Sequence, residues 1–208
     1  MHRVLALGLG GLLLAGCTAS GTGQSRVLDA GQAAVSDDFD IAQSAVTESV
    51  EAVLAATGQP PGQPPAGLAT ATVQRLVQGA VIAGFAAGNG VAVTTTQVEA
   101  GVAELADQNG GMAALTELAQ QSGIPADAIG DTVRTNLLVA GIGAKLDPTG
   151  DSTSQLEATG IALAEFSEAT NVAVAPRYGS WDDAQLGIST GSSVVEPPVE
   201  QPAEQGAP

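Results

Sequence analysis

Between Gly79 and Gly88 the chain carries no polar side chain, and ahead of that run Gln74, Arg75 and Gln78 mark one polar edge. Read as a single helix from Leu68 to Ala87, the segment has a wet edge in its first half and none in its second. That second half must therefore be covered all round by neighbouring elements. This requirement sets the class of fold, because other helices have to pack around this one. A membrane span would meet it too, and Leu76 to Val93 is nearly uncharged. The run is dominated by Ala and Gly, however, and falls short of the roughly 20 strongly apolar residues a span needs. It also breaks at Asn89-Gly90 and has no flanking Lys or Arg to orient it.

Apolar side chains at helical spacing supply the neighbours. Ser36 suits an N-cap, with Asp37 and Asp38 at the positive end of the dipole, ahead of a stripe at Phe39, Ala42, Val46, Val50 and Val53 that stops near Thr57-Gly58. Thr94 followed by Gln97 is a capping box, the sharpest local signal in the chain. It opens a helix that buries Val98, Val102 and Leu105 and ends at Asn109-Gly110-Gly111. Met112, Leu115, Leu118 and Ala119 make a short helix stopped by Gly123. Pro125 starts the next, with Ile129, Val133, Leu137 and Ala140 inward and fraying expected at Gly141 and Gly143. Ser154 with Glu157 reads as a second capping box, opening a helix with Leu156, Leu163 and Phe166 on one face. Aromatic residues are 2% of the chain, so Ala, Val and Leu must build the core between these helices.

Two short pieces read as strand. Val27-Leu28 and Ala33-Ala34-Val35 form a predicted hairpin about Gly31, and Asn171 to Ala175 alternates until Pro176 ends its pairing. Two strands alone are marginal, so the distant pieces should pair. The expected fold is mainly α: a helical bundle with a small β-sheet formed by an N-terminal hairpin and a C-terminal strand. Gln59 to Gly67 (QPPGQPPAG) can be neither helix nor central strand. It reads as a stiff surface spacer rather than a polyproline ligand.

The start of the chain fixes an expected location. His2 and Arg3, an apolar run from Val4 to Leu14, then Leu14-Ala15-Gly16-Cys17 resemble a bacterial lipoprotein leader ending in a lipobox. That resemblance implies cleavage before Cys17, acylation of its thiol, and anchoring to the outer face of the cytoplasmic membrane. An ordinary secretory signal with an incidental cysteine is the alternative. The organisation is then 1–16 leader, 17–25 flexible tether, 26–186 domain, and 187–208 a Pro/Glu-rich tail expected to be disordered.

Charge and residue types exclude whole classes of function. The sequence has six Lys and Arg against 22 Asp and Glu; losing residues 1–16 removes Arg3 and no acid, leaving a net −17. Phosphate backbones and anionic head groups are repelled, so neither nucleic acid nor a basic membrane-binding face is expected. His2 is the only histidine and Cys17 the only cysteine. A mature chain starting at an acylated Cys17 has no imidazole and no free thiol, which removes Ser/His/Asp and Cys/His catalysis and nearly all transition-metal sites. The acids from Asp147 to Glu157 do not follow EF-hand alternation and read as a turn plus a cap. The neighbouring pairs Asp37 and Asp38, and Asp182 and Asp183, read as cap or surface charges because residues adjacent on a helix do not face one site. No catalytic residue, metal or cofactor is expected.

The order of hairpin, capped helix, long helix, a helix opened by Val93, Thr94, Gln97 and Val98, a short helix behind Gly-Gly, a longer helix, and a closing Pro176, Arg177, Tyr178, Gly179 and Trp181 resembles the SurA-like N-terminal domain. That domain occurs in parvulin-associated export chaperones and in short lipoproteins of high-GC Gram-positive bacteria. The similarity spans roughly Val27 to Trp181; Ala30-Gly31 and the QPPGQPPAG loop depart from the pattern. It implies binding of unfolded or partly folded exported polypeptides through apolar grooves between helices. It implies no catalysis, because rotamase activity in such proteins belongs to a separate parvulin domain. Tyr178 and Trp181 are candidates for peptide stacking or, more simply, for burial against the sheet. A structural lipoprotein holding one folded partner is the alternative function. A prolyl isomerase is disfavoured by the missing histidines, and a solute-binding lipoprotein by the lack of repeated βαβ units. Neither the binding groove nor any peptide-binding residue is identified by the sequence, and the oligomeric state is left open.

Overall fold

In the computed structural model, which describes residues 28–189, the chain is mainly α with a small antiparallel sheet. Strand β1 (Gln32–Val35) and β2 (Asp40–Ala42) lead into helices α1 (Gln43–Ala56), α2 (Leu68–Gly88), α3 (Thr95–Gln108) and α4 (Met112–Gln121). A 3₁₀ turn at Ala126–Ala128 runs into α5 (Ile129–Leu146), followed by α6 (Ser152–Ala169) and β3 (Ala173–Val174). A second 3₁₀ turn, Pro176–Tyr178, precedes the hairpin of β4 (Ser180–Asp182) and β5 (Gly187–Ser189).

Helix α2 is the hub. Val73, Val77 and Val81 recur every four residues and are buried, and α1, α5, α6, β1 and β5 all pack on it. The expectation of cover all round its second half is not met: Ala83, Ala87 and Gly88 are exposed. The physical reason is size. A methyl group left in water forgoes less than about 1 kcal/mol, so an Ala/Gly face can stay open where a Leu face could not. Among the described residues no helix is long and apolar enough to cross a membrane.

The N-terminal hairpin exists, but between other partners. Ala34 and Val35 of β1 pair with Ile41 and Asp40 of β2, and on its other side β1 pairs with β3, giving the order β2-β1-β3. Leu28 lies ahead of the sheet, and Val27 lies outside the described residues. The turn is Ser36 to Phe39: the Ser36 amide donates to Phe39 O at 2.8 Å, and Ser36 Oγ accepts from the amides of Asp38 and Phe39. The hydroxyl read as a helix cap thus caps a turn, because both need the same local acceptor for free amides. Helix α1 accordingly starts at Gln43, so Phe39 and Ala42 are not on it, while Val46, Val50, Val53 and Leu54 form its buried face.

The capping box of α3 is present in full. The Gln97 amide donates to Thr94 Oγ1 at 3.2 Å and the Thr94 amide to Gln97 Oε1 at 2.9 Å. The cap of α6 is Asp151 rather than Ser154 with Glu157; its carboxylate accepts from the amides of Thr153 and Ser154 at 3.0 and 2.9 Å. Those bonds hold the Asp151 pKa below its ordinary value. A carboxylate lowered in the folded state contributes stability that is complete above the unfolded pKa, about 3.9, and is lost as pH falls through the lower folded one. Acidification below about pH 4 should therefore loosen the first turn of α6, seen as faster amide exchange at Thr153 and Ser154. Asp151→Asn should keep the cap and lose that pH dependence.

Helix α5 does not fray at Gly141 and Gly143 but continues to Leu146, and it turns Leu138 and Ile142 inward where Leu137 and Ala140 were expected; Ala140 is exposed. The two glycines are contact points. A Cβ at Gly141 would lie 2.9 Å from Val91 Cγ1, and one at Gly143 would lie 3.0 Å from Gln155 Cβ and 3.2 Å from Gln155 O on α6. Gly160 of α6 has open space instead. Gly160→Ala should stabilise by about 0.5–1 kcal/mol, whereas Gly143→Ala should destabilise by about 1–2 kcal/mol in thermal or urea unfolding. Equal effects would mean that α5 and α6 are not in close contact.

At the C-terminal end Gly187–Ser189 is strand β5, so the first three residues assigned to the tail belong to the folded body.

Candidate functional site

Three helices and one turn leave an apolar hollow between them. Helix α2 lends Leu76 and Ile82, α5 lends Leu138 and Val139, α6 lends Leu163 and Leu156, and the β4–β5 turn closes one side with Gln185 and Leu186. The groove measures about 750 Å³, within the range of roughly 300–1,000 Å³ usual for ligand sites. Its floor is aliphatic, and Gly79, facing Thr135 Oγ1 at 3.8 Å from a built Cβ, keeps α2 and α5 near each other without filling the space.

Leu156 was expected to face inward with Leu163 and Phe166. Leu163 is buried and Phe166 half-buried, but Leu156 is 63% exposed at the mouth of the groove. Ile161 on the same helix is 57% exposed. Phe166 meets Phe85 edge-on with ring centroids 5.6 Å apart, in the space that Gly84 leaves. An exposed leucine alone means little; here it continues an aliphatic groove. A second hollow, about 560 Å³, lies between α3, α4 and the start of α5, where Val102 and Met112 line it. Met112 and Leu118 of α4 are each 49% exposed.

The β4–β5 turn is held by α2 and α6. Gln78 Nε2 donates to Leu186 O at 2.7 Å, and the Ile188 amide donates to Gln74 Oε1 at 3.1 Å. Leu186 sits at φ +48°, a left-handed conformation unusual for a bulky residue, and its carbonyl is fixed by that Gln78 bond. Gln74 and Gln78, read from the sequence as a wet edge, therefore serve as clamps for the groove wall.

Tyr178 and Trp181 are structural. Tyr178 is buried, and its hydroxyl donates to Gln43 Oε1 at 2.7 Å with the Arg177 guanidinium 4.9 Å from its ring centroid. Trp181 Nε1 donates to Ser167 Oγ at 2.8 Å and to Asp183 Oδ1 at 3.1 Å, pinning β4 to α6. Asp183 is thus a structural acceptor. Neither ring lines the groove.

Two of the chain's few cations border it. Arg75 donates to Ser49 Oγ at 2.9 Å, and Arg134 donates to Val93 O at 3.0 Å. Burial holds the Arg75 guanidinium below its ordinary pKa, opposed by the nearby charges of Asp131 and then Asp127. Among the described residues Asp131 is the one acid lining the groove. Among the described residues no group of three or more His, Cys, Asp or Glu could hold a metal ion. Cys17, the expected lipid-attachment residue, and the tether 17–25 lie outside the described residues.

The groove residues come from positions 75 to 186, and of them helical periodicity marks only Leu156 and Leu163 as an inward face. Ile161 lies on the other side of α6 from Leu163 and does not line the groove, whereas Leu156 shares the Leu163 face two turns earlier, so no local pattern in the sequence marks the opening.

No family model matches the chain, and no curated protein and no solved structure matches it.

Proposed function

We propose that the chain is a membrane-anchored lipoprotein acting as a non-catalytic, chaperone-like module that binds unfolded or partly folded exported polypeptides. The observation that carries this reading is the aliphatic groove between α2, α5 and α6, open to solvent at Leu156. An extended segment with apolar side chains fits such a surface, because burial of aliphatic area is non-directional and asks for no particular sequence. The resemblance to SurA-like N-terminal domains, carried by Val93, Thr94, Gln97, Val98 and by Pro176 to Trp181, points the same way. The net negative charge keeps the module away from anionic lipid head groups, so the anchor is assigned to acylated Cys17 on the outer face of the cytoplasmic membrane.

The full chain should suppress aggregation of a chemically unfolded client at a near-stoichiometric ratio, followed by light scattering. Leu156→Asp should weaken that effect several-fold while leaving the unfolding midpoint nearly unchanged, since the residue is exposed. No suppression across several clients, together with capture of one folded partner, would replace this reading with a scaffold lipoprotein. Cys17→Ser should move the protein from the membrane fraction to the soluble fraction; retention on membranes would assign the anchor elsewhere.

A further inference from the structure

Arg75 stands at one end of the groove, and its chemistry is not used up by the fold. A guanidinium has five N–H donors, and among the described residues Arg75 gives one bond, to Ser49 Oγ. The side chain is half-buried between the main groove and a smaller hollow of about 220 Å³ bordered by Glu48, Asp127 and Asp131. The main groove itself is lined by Arg75 and Arg134 against Asp131 alone. The groove's own lining thus carries two cations and one anion, with Glu48 and Asp127 in the adjoining smaller hollow. An apolar ligand with one negative charge is complementary to that balance, and a planar carboxylate matches a guanidinium's fork of donors.

We propose that the Arg75 end of the groove is a carboxylate subsite, so that the groove takes the C-terminal ends of apolar polypeptides. This rests on the groove being a polypeptide site. The free α-carboxylate sits on the Arg75 guanidinium, and the preceding residues run along α2 toward Ile82. Seven residues separate Arg75 from Ile82, about 10 Å along the helix axis. An extended chain covers that distance in about three residues. The last three side chains of the client therefore lie on the aliphatic floor of Leu76, Leu138 and Leu163.

The test is a fluorescence anisotropy titration of the full chain with two dye-labelled peptides ending in valine, leucine and phenylalanine, one a free acid and one amidated. The acid should bind about tenfold more tightly, the size of one charge-assisted contact. Arg75→Gln should abolish the preference, Arg75→Lys should keep part of it, and Asp131→Asn should tighten the acid alone. The acid-to-amide ratio in the wild-type chain needs no variant to fold. Equal binding of the two peptides would overturn the carboxylate subsite and leave the groove reading standing; binding of neither would remove both. Dodecanoate binding more tightly than the acid peptide, and displacing it, would assign the groove to an amphiphile and overturn the polypeptide end as its occupant.

Discussion

Cutting Leu54 back to alanine should lower the unfolding free energy by about 2–5 kcal/mol, read as a fall in the urea midpoint with little change in slope. Leu54 is 0% exposed and is among the largest fully buried side chains of the described residues. It belongs to the same core cluster as Val46 and Val50 of α1, Val73 and Val77 of α2, and Ala33 and Ala34 of β1. The valines among these neighbours are stiff at χ1 and have little freedom to fill the space, so most of the cavity cost should be felt. Leu118→Ala is the matched control: it removes the same atoms from a side chain 49% exposed and should cost well under half as much. Similar losses at the two positions would contradict the placement of the core between the sheet, α1 and α2.

Gly179→Ala should cost at least about 2 kcal/mol and should also weaken client binding. Gly179 has φ +119° and ψ −155°, a region open in practice only to glycine. A Cβ there would lie 2.6 Å from Ser189 O and 2.8 Å from Ile188 Cγ2, so backbone of β5 has to move. The displacement reaches the groove because the same hairpin carries Gln185 and Leu186, which line it, and is tied to α2 through the Ile188 amide. Exchange of that amide should accelerate in the variant. Client affinity should fall by more than it does in Leu118→Ala, whose lost atoms lie on α4, outside the groove lining. Unchanged amide exchange at Ile188 would mean that the hairpin is not clamped as described.

Signals confined to one turn of chain were legible, and signals that depend on a distant partner were not. Thr94 and Gln97 satisfy each other within four residues, so the start of α3 could be read directly. The QPPGQPPAG segment forbids regular structure by its own covalent geometry, and residues 59–67 are an irregular exposed loop. Ser36 shows where local reading divides: its hydroxyl is a good acceptor for free amides in a helix start or a turn, and only the pairing of β1 with β2 decides which. Asp151 took the cap that Ser154 and Glu157 also advertise, because either start suits the pattern that follows.

The inward face of α5 departs from its simple periodicity over its second half for a related reason. Leu137 and Leu138 are adjacent, and helical periodicity accepts both; packing against α2 and α6 selects Leu138 and then Ile142. The glycines at 141 and 143 looked like ends because glycine weakens isolated helices, yet here they admit Val91 and α6. The groove lay beyond reading altogether. Its lining joins residues more than 100 positions apart, and its opening depends on Leu156 staying outside while Leu163, seven residues on, goes in.

Hydrogen exchange of the full chain with and without a saturating unfolded client tests the central claim most directly. Protection should appear at residues 75–83 of α2 and 156–163 of α6, and at Gln185 and Leu186, with α1 unchanged. Protection confined to α3 and α4, or spread over no contiguous surface, would contradict the groove as the place where clients bind.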